Sequence, residues 1–217
     1  MELLELMKKR RSIRKYKDEP VSQDILRILE ENIERINAEH NLHFQVMTNN
    51  KSAFKNIFAK YGGFKNPANY ISLVAKKDDD ISVGYYGEEL VLLLESLDIG
   101  TCWIAGSYKK ANTLADIKED EKLYCIISFG YKDEERGPHK SKKLSQVLKG
   151  EASDLIIKGV EASLLAPTAI NMQNFEFEIK NSNVYLRKKF GFFSLINLGI
   201  VKYHFEKITN IEVKIEE

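Results

Sequence analysis

The sequence predicts an α+β protein, because stretches with helical periodicity alternate with short β-rich stretches along the chain. The chain has 217 residues, 43% of them hydrophobic and 10% aromatic, which is enough for a sizeable core in one domain or at most two. Lys and Arg number 33 and Asp and Glu 32, so the formal net charge is +1. A balance this close disfavours a dedicated nucleic-acid binder, and any phosphate site must be local.

Six helices are predicted from apolar residues at helical spacing and from the residues that start and stop a helix. Ser22 is a plausible N-cap with Asp24 in the first turn, and Pro20 ends the basic stretch before it. Gly63 stops a later helix, and Pro167 follows the end of another. The predicted helices span residues 2–9, 22–36, 51–61, 86–97, 153–165 and 193–208.

Short β-rich segments lie between these helices. The segment 43–48 alternates, with Phe44 and Val46 on one face, as a half-buried strand does. The segment 98–101 is expected to close a helix, and a short apolar segment follows at 102–105. The polar, charged segment 131–143 predicts a surface loop. The predicted strands span residues 43–48, 70–75, 123–130, 175–179, 184–187 and 211–215.

The cysteine count and the hydropathy pattern indicate the compartment. With two cysteines, Cys102 and Cys125, and four histidines, a disulfide framework is excluded and a Cys/His zinc site is disfavoured. The longest aliphatic run, Leu90–Leu94, is far short of the roughly 20 residues that span a bilayer. The N-terminus lacks the apolar stretch of a signal peptide. We therefore expect a cytoplasmic protein that neither enters a membrane nor binds nucleic acid.

A basic segment, Arg10–Arg14, is the first candidate for binding chemistry. It places three guanidiniums and one hydroxyl within five residues, a set that suits a phosphate monoester through paired, charge-assisted hydrogen bonds. In an extended chain, residues 10, 12 and 14 would share one face. A solvated basic turn is the open alternative at this point.

Three further segments combine small, polar or basic residues. Gly100–Gly106 contains the single tryptophan between small residues, which let backbone N–H groups approach a flat ligand. Ala166–Phe175 offers hydroxyl and amide groups able to bind the edge of a heterocycle. Pro138–Leu144 carries cations within reach of a phosphate. Taken singly, each also fits a structural role, as a tight turn, a polar connection and a solvated loop respectively.

Together the four segments resemble the nitroreductase family of flavoproteins. Arg10–Arg14 resembles the family's R-x-S-x-R start, and Gly100–Gly106 resembles its G-L-G-T-C-W element. Ala166–Phe175 resembles the A-P-S-x-x-N-x-Q-P-W/F element, although Asn174 stands where the family usually has Pro. Pro138–Leu144 resembles the family's basic stretch after a Gly-Tyr strand end. The resemblance implies a nitroreductase-like fold, with a central, mostly antiparallel sheet flanked by helices.

The resemblance also implies FMN as cofactor, and NADH or NADPH with a nitroaromatic, quinone or enone acceptor as partners. Arg14 would lie near the pyrimidine edge of the flavin, where positive charge stabilises the anionic reduced ring. The N–H of Ala105 would donate to the central redox nitrogen. No side chain is assigned a catalytic role, because the flavin carries the chemistry. The implied phosphate ligands are Arg10, Arg11 and Ser12, with Lys140 and Lys142, and the other implied flavin contacts are Arg14, Trp103, Ile104, Ala105, Gly106, Pro167, Thr168, Ala169 and Asn171.

The order of the segments departs from typical members of the family. The A-P-S-x-x-N element normally follows the R-x-S-x-R element after one helix, whereas here it follows the basic loop. This order matches a variant branch whose type member came from a thermophilic bacterium. Typical members are homodimers whose flavin sites use both subunits. We therefore expect a fused pseudo-dimer, with a larger half at 1–150 and a smaller half at 151–217, that is monomeric or self-associates further and keeps one complete flavin site.

The pseudo-dimer interpretation draws on a weak internal repeat. The helix at 22–36 and the strand at 43–48 resemble the helix at 153–165 and the strand at 175–179. The identities are few, so chance similarity is an open alternative. Two other functions also stay open, a flavin-binding protein without efficient turnover and a flavin-consuming oxygenase on the same fold.

Overall fold

The computed structural model describes residues 2–55, 63–106, 108–181, 183–191 and 193–216. The chain forms two compact units that interleave along the sequence. We call the first the antiparallel unit, Arg10–Asp79 with Leu90–Gly137. The second, the mixed unit, consists of Met1–Lys9, Asp80–Glu89 and Pro138–Glu217. The predicted division at residue 150 concerns pseudo-dimer halves, which these units do not test, and it stays a prediction.

The α+β class is confirmed, and five α-helices are described. Ser22 caps one of them as predicted, with its Oγ accepting from the N–H of Ile25. The predicted helix at 51–61 is described only as a 3₁₀ turn at Lys51–Phe54, and residues 56–62 lie outside the described part of the chain. The helices are α1 (Leu3–Lys9), α2 (Gln23–His40), α3 (Asp80–Ser96), α4 (Asp154–Ser163) and α5 (Ser194–Thr209).

The sheet of the antiparallel unit has four strands in the order β1-β2-β4-β3, and every neighbouring pair is antiparallel. A side-chain amide joins α2 to the edge strand, since Asn37 donates to the carbonyl of Phe44 at 2.9 Å and accepts from its N–H at 2.8 Å. The strands are β1 (His43–Met47), β2 (Asn69–Lys76), β3 (Ile99–Ile104) and β4 (Glu121–Tyr131).

The start of β3 differs from the expectation. The segment 98–101 was expected to close a helix, but β3 already begins at Ile99. The reversal is made by Leu97 and Asp98, and Asp98 adopts a left-handed conformation with φ of 60°. Aspartate tolerates this conformation better than most residues, so the turn can be short.

The sheet of the mixed unit combines parallel and antiparallel pairs. Its order is β5-β6-β7-β8, with β6 and β7 antiparallel and the two outer pairs parallel. The two-residue β5 was not predicted, because such a short strand has no readable alternation. The strands are β5 (Leu148–Lys149), β6 (Phe175–Lys180), β7 (Asn183–Lys188) and β8 (Val213–Glu216).

The helices α3 and α5 touch backbone to backbone in the mixed unit. A Cβ on Gly84 would lie 2.1 Å from the carbonyl oxygen of Ile196, and one on Gly199 would lie 2.1 Å from that of Ile81. Only glycine at both positions permits so close a crossing. No described helix is long and apolar enough to span a membrane.

Candidate functional site

The predicted phosphate segment, Arg10–Arg14, runs alongside β3 in the antiparallel unit. Ser12 forms a parallel bridge with Thr101, and the N–H of Ile13 donates to the carbonyl of Thr101 at 2.8 Å. This approach requires glycine at position 100, where a Cβ would lie 2.9 Å from side-chain carbons of Ile13. The segment is therefore held as an additional edge to the sheet.

Tyr16 fastens the end of the same segment. Its hydroxyl donates to the carbonyl of Ile13 at 2.7 Å and lies 2.7 Å from the hydroxyl of Ser128 on β4. Its ring lies over Gly130, where a Cβ would come within 3.0 Å of the ring. Burial raises the pKa of Tyr16 well above its ordinary value, so the phenol stays protonated and serves as a hydrogen-bonding anchor.

Three arginines carry positive charge that acts on the side chain of Cys102 on β3, and one of them, Arg14, is hydrogen-bonded to it. Burial raises the pKa of the Cys102 thiol, and the positive charges of Arg14, Arg10 and Arg136 act to lower it. Arg10 is only 4% exposed. The Nε of Arg11 donates to the carbonyl of Gly137 at 2.8 Å. The raised pKa keeps Cys102 a neutral thiol. We call Arg10, Arg14 and Arg136 the guanidinium cluster, because their positive charges act on one place and suit an anion.

The other flavin contacts expected in this unit lie at the end of β3. Trp103 is half-buried and Ile104 is 3% exposed. Ala105 and Gly106 follow Ile104, the last residue of β3 paired with β4. A Cβ on Gly106 would meet no atom of the described residues within 4 Å. The backbone at Gly106 thus has space beside it, and the N–H donor at Ala105 stays a prediction.

The other predicted contacts, 167–171, form a turn after α4 in the mixed unit. Ala169–Asn171 is a 3₁₀ turn in which Ile170 is left-handed, with φ of 45°, and 85% exposed. Asn171 and Gln173 are left-handed as well. A β-branched residue in this conformation is strained, and strain of this kind concentrates at functional segments.

The basic loop at 138–144 is bonded to this turn. Asn171 donates to the carbonyl of Lys140 at 2.8 Å. Gln173 accepts from the N–H of Lys142 at 2.7 Å and donates to the carbonyl of Leu164 at 2.8 Å. The third and fourth predicted segments are therefore one hydrogen-bonded structure.

The ammonium of Lys142 belongs to this structure. Its Nζ donates to the carbonyl of Gln173 at 3.0 Å and to Oδ1 of Asn174 at 3.2 Å. Burial, followed by the charge of Lys189, lowers the pKa of Lys142. The Lys142 ammonium therefore holds the turn in place. Its contact with phosphate stays a prediction.

The structure groups the predicted residues within each unit. The antiparallel unit holds Arg10, Arg11, Ser12, Arg14, Trp103, Ile104, Ala105 and Gly106, and the mixed unit holds Lys140, Lys142, Pro167, Thr168, Ala169 and Asn171.

Sequence reasoning missed Arg136, which joins the guanidinium cluster. Arg136 lies just before the basic segment Pro138–Leu144, but nothing in the sequence distinguished it from its charged neighbours. Gln173 supplies one of the amide groups that Ala166–Phe175 offered to the edge of a heterocycle, and in the structure it ties the turn to the basic loop.

A separate polar cleft of about 290 Å³ lies in the antiparallel unit, lined by Asn49, Lys51 and Asn69 among others. None of the predicted cofactor residues lines it. Among the described residues, no group of three or more His, Cys, Asp or Glu side chains is placed to hold a metal ion. The guanidinium cluster beside β3 is therefore the stronger candidate site.

The fold is that of the nitroreductases. The chain resembles the crystal structure of a "putative nitroreductase" from Thermotoga maritima at a TM-score of 0.70 and 22% identity, covering 100% of this chain and 89% of that one. An "FMN-dependent Nitroreductase" from Clostridium difficile matches at 0.50 and 25% identity, over 62% of this chain and 90% of that one. A "Nitroreductase-like Family Protein" from Bacillus cereus matches at 0.52 and 17% identity, over 67% and 94%. No curated protein matches the chain.

The family follows from the sequence match over almost the whole chain. Residues 2–209 match the family model described as "Putative TM nitroreductase", and the chain belongs to that family. This confirms the family and the fold that the four segments indicated. The family is one of nitroreductases, which are oxidoreductases.

Proposed function

We propose that this protein binds FMN and passes hydride from NADH or NADPH to a small acceptor such as a nitroaromatic, a quinone or an enone. The guanidinium cluster carries the proposal, because it brings positive charge to Cys102 on β3, the strand that leads into Ala105 and Gly106. Membership of a nitroreductase family and the likeness to an FMN-dependent enzyme support flavin as the ligand.

The residues present fit an FMN molecule. Guanidiniums supply paired donors for a phosphate, and the Arg10–Ser12 segment presents two of them with a hydroxyl. Space is open beside Gly106, after β3, because a Cβ built there meets no atom of the described residues within 4 Å. Arg10, Arg11 and Ser12 would hold the phosphate, and the Ala105 N–H would donate to the ring.

The bound flavin supplies the hydride chemistry, and the chain supplies charge and position. Arg14 would place positive charge at the pyrimidine edge, which favours the reduced, anionic ring. The neutral thiol of Cys102 adds no negative charge beside it. We further propose that the turn containing Pro167, Thr168, Ala169 and Asn171 contributes contacts to the same flavin, as the family motif implies.

The absorption spectrum of the purified protein is the first test. We expect flavin bands in the protein as isolated or after addition of FMN, and bleaching of these bands by NADH or NADPH without oxygen. Addition of a nitroaromatic, quinone or enone should restore the bands. Protein that takes up no FMN would refute the proposal, whereas bands that bleach without turnover of any acceptor would favour a flavin-binding protein.

A matched pair of arginine variants tests the location. Arg10→Ala should weaken FMN binding strongly, because it removes a buried guanidinium from the cluster. Arg27→Ala is the control, since Arg27 is exposed on α2 and pairs with Glu31. Equal affinities of the two variants for FMN would contradict the assignment of the cluster.

A further inference from the structure

Glu134 joins the two segments that carry the guanidinium cluster of the antiparallel unit. A single oxygen, Oε1, accepts from the N–H of Arg14 at 2.6 Å and from the N–H of Lys15 at 3.0 Å. The same oxygen accepts from Nη2 of Arg136 at 2.9 Å. One carboxylate thus fixes the main chain of the arginine segment and the side chain of a cluster arginine.

The hydrogen bonds to Glu134 matter because its side chain is buried. The side chain of Glu134 is only 10% exposed, so its charge is poorly screened and needs the donors around it. Burial acts to raise the pKa of Glu134, but the bonds from Arg14, Arg136 and Lys15 outweigh it and lower the pKa. The group is therefore ionised at neutral pH and forms an ion pair with the guanidinium of Arg136.

This ion pair stabilises the cluster. The guanidiniums of Arg10, Arg14 and Arg136 act on the same thiol, so they also repel one another. A carboxylate bonded to Arg136 offsets part of this repulsion. Arg136 is the most exposed of the three, with 36% of its side chain accessible, so its guanidinium can move away from the cluster most easily.

We propose that Glu134 is a positioning residue of the flavin site, which holds Arg14 and Arg136 where they act on the cofactor. The inference rests on the proposed function, that FMN binds at this cluster. Glu134 is thus an acidic residue that supports a site for an anion. Neither the family motifs nor the charge pattern of the sequence indicates this role.

Charge repulsion and positioning predict opposite changes in FMN affinity and in the flavin reduction potential, so the direction of these changes tests the inference. A carboxylate near an anionic ligand repels it, so charge alone predicts that Glu134→Gln tightens FMN binding and raises the flavin reduction potential. Positioning predicts the reverse. The glutamine amide cannot pair with the charge of Arg136, so we expect about tenfold weaker FMN binding, comparable to loss of one charge-assisted contact. We also expect a more negative reduction potential, because Arg14 stabilises the reduced ring less well.

The experiment measures FMN affinity by fluorescence titration and the reduction potential of the bound flavin. Glu135→Gln is the matched control, because it removes the same charge from the next residue, which is exposed, and it should leave both quantities unchanged. The thermal midpoint of each variant without flavin reports folding separately. If Glu134→Gln does not fold, Arg136→Lys replaces it. Arg136→Lys keeps the charge but loses the planar guanidinium. It should weaken FMN binding and lower the reduction potential by smaller amounts than those expected for Glu134→Gln.

Two results separate failure of the inference from failure of the proposed function. Wild-type protein that binds no FMN would refute the proposed function and this inference with it. Wild-type protein that binds FMN, together with a Glu134→Gln variant that binds it equally or more tightly at an equal or higher potential, would overturn the positioning role alone.

Discussion

Arg14 is held through its main chain, and its guanidinium is hydrogen-bonded to the Cys102 thiol. Its N–H donates to Glu134 at 2.6 Å, and its carbonyl accepts from the N–H of Lys65 at 3.0 Å. Neither bond depends on the guanidinium. Removing the side chain should therefore leave the segment in place.

We expect Arg14→Ala to slow flavin reduction more than it weakens FMN binding, by about tenfold or more in rate. The physical reason is that positive charge near the pyrimidine edge stabilises the charge that develops during reduction. Stopped-flow reduction by NADH and an FMN titration supply the two numbers. Lys15→Ala serves as the control, since the exposed neighbour also donates its N–H to Glu134. Unchanged reduction kinetics in Arg14→Ala would count against the role of Arg14.

Lys142 shows what a sequence does not reveal at the scale of a residue. Its segment reads His139–Lys143 with three lysines, and the motif gives each a similar claim to a phosphate. In the structure the Lys142 ammonium bonds Gln173 and Asn174 of the turn. Tertiary contacts that are distant in sequence decide this, so charge alone predicts the presence of cations but not their partners.

The pairing of β3 with the Arg10–Arg14 segment depends on Gly100. The Arg10–Arg14 segment lies against β3 only because position 100 has no side chain. From the sequence, Gly100 is expected to let backbone N–H groups approach a flat ligand. The structure shows that it admits another part of the chain, Ile13.

Gly100→Ala should destabilise the protein by about 1–3 kcal/mol and weaken FMN binding, because the added methyl displaces the arginine segment. Gly137→Ala is the matched control, since a Cβ there meets no atom within 4 Å. Urea denaturation and FMN titration of both variants supply the comparison. Equal behaviour of the two variants would show that the arginine segment adapts to the methyl group without cost.

The helices α3, α4 and α5 share a buried polar contact in the mixed unit. His204 and Glu88 are fully buried, with Nε2 of the imidazole 2.9 Å from Oε1 of the carboxylate. The other ring nitrogen, Nδ1, lies 3.0 Å from the carbonyl of Ala162. That carbonyl can only accept, so Nδ1 carries a hydrogen and the Nε2 contact needs a second proton on one of its two atoms.

Glu88→Leu should lower the free energy of unfolding by about 3–5 kcal/mol, because it leaves one member of a buried pair without its partner. The double variant Glu88→Leu/His204→Leu should regain part of this loss, since no buried charge is then left unpaired. Chemical denaturation of the single and double variants measures both. A double variant less stable than Glu88→Leu would show that the contact to Ala162, and not the pair, dominates.

The periodicities located the five described helices and six of the eight described strands, and they missed β3 and β5. Among the helices, the largest error is the start of α3, which lies six residues before the predicted position 86. Gly84 and the acidic run before it argue against a helix when only local propensity is considered. The crossing with α5 explains the glycine, and that crossing is a tertiary fact.

For the whole molecule, the family and the fold were predictable from four motifs, and the arrangement into units was not. The two sheets differ in topology, one wholly antiparallel and one mixed. The pseudo-dimer interpretation therefore stays a prediction that rests on the order of the motifs. Discontinuous units of this kind leave no composition shift in the sequence, because each boundary falls inside ordinary globular segments.

FMN titration tests the pseudo-dimer interpretation. One equivalent of FMN per chain should saturate the flavin signal, because one set of phosphate-binding arginines is found in the sequence and the smaller half has no R-x-S-x-R element. Calorimetric and fluorescence titrations should agree on this end point. Saturation at two equivalents would contradict the expectation of a single complete site.

The path of α3 has a consequence for how this protein is built. The helix starts in the mixed unit at Asp80 and ends in the antiparallel unit at Ser96. No single break in the gene can then yield the two units as separate intact pieces, because the mixed unit draws on chain from both before and after the antiparallel unit. Ribosomal synthesis must deliver the C-terminal part of the mixed unit before that unit can be complete, so α1 can pack against α5 only late in synthesis.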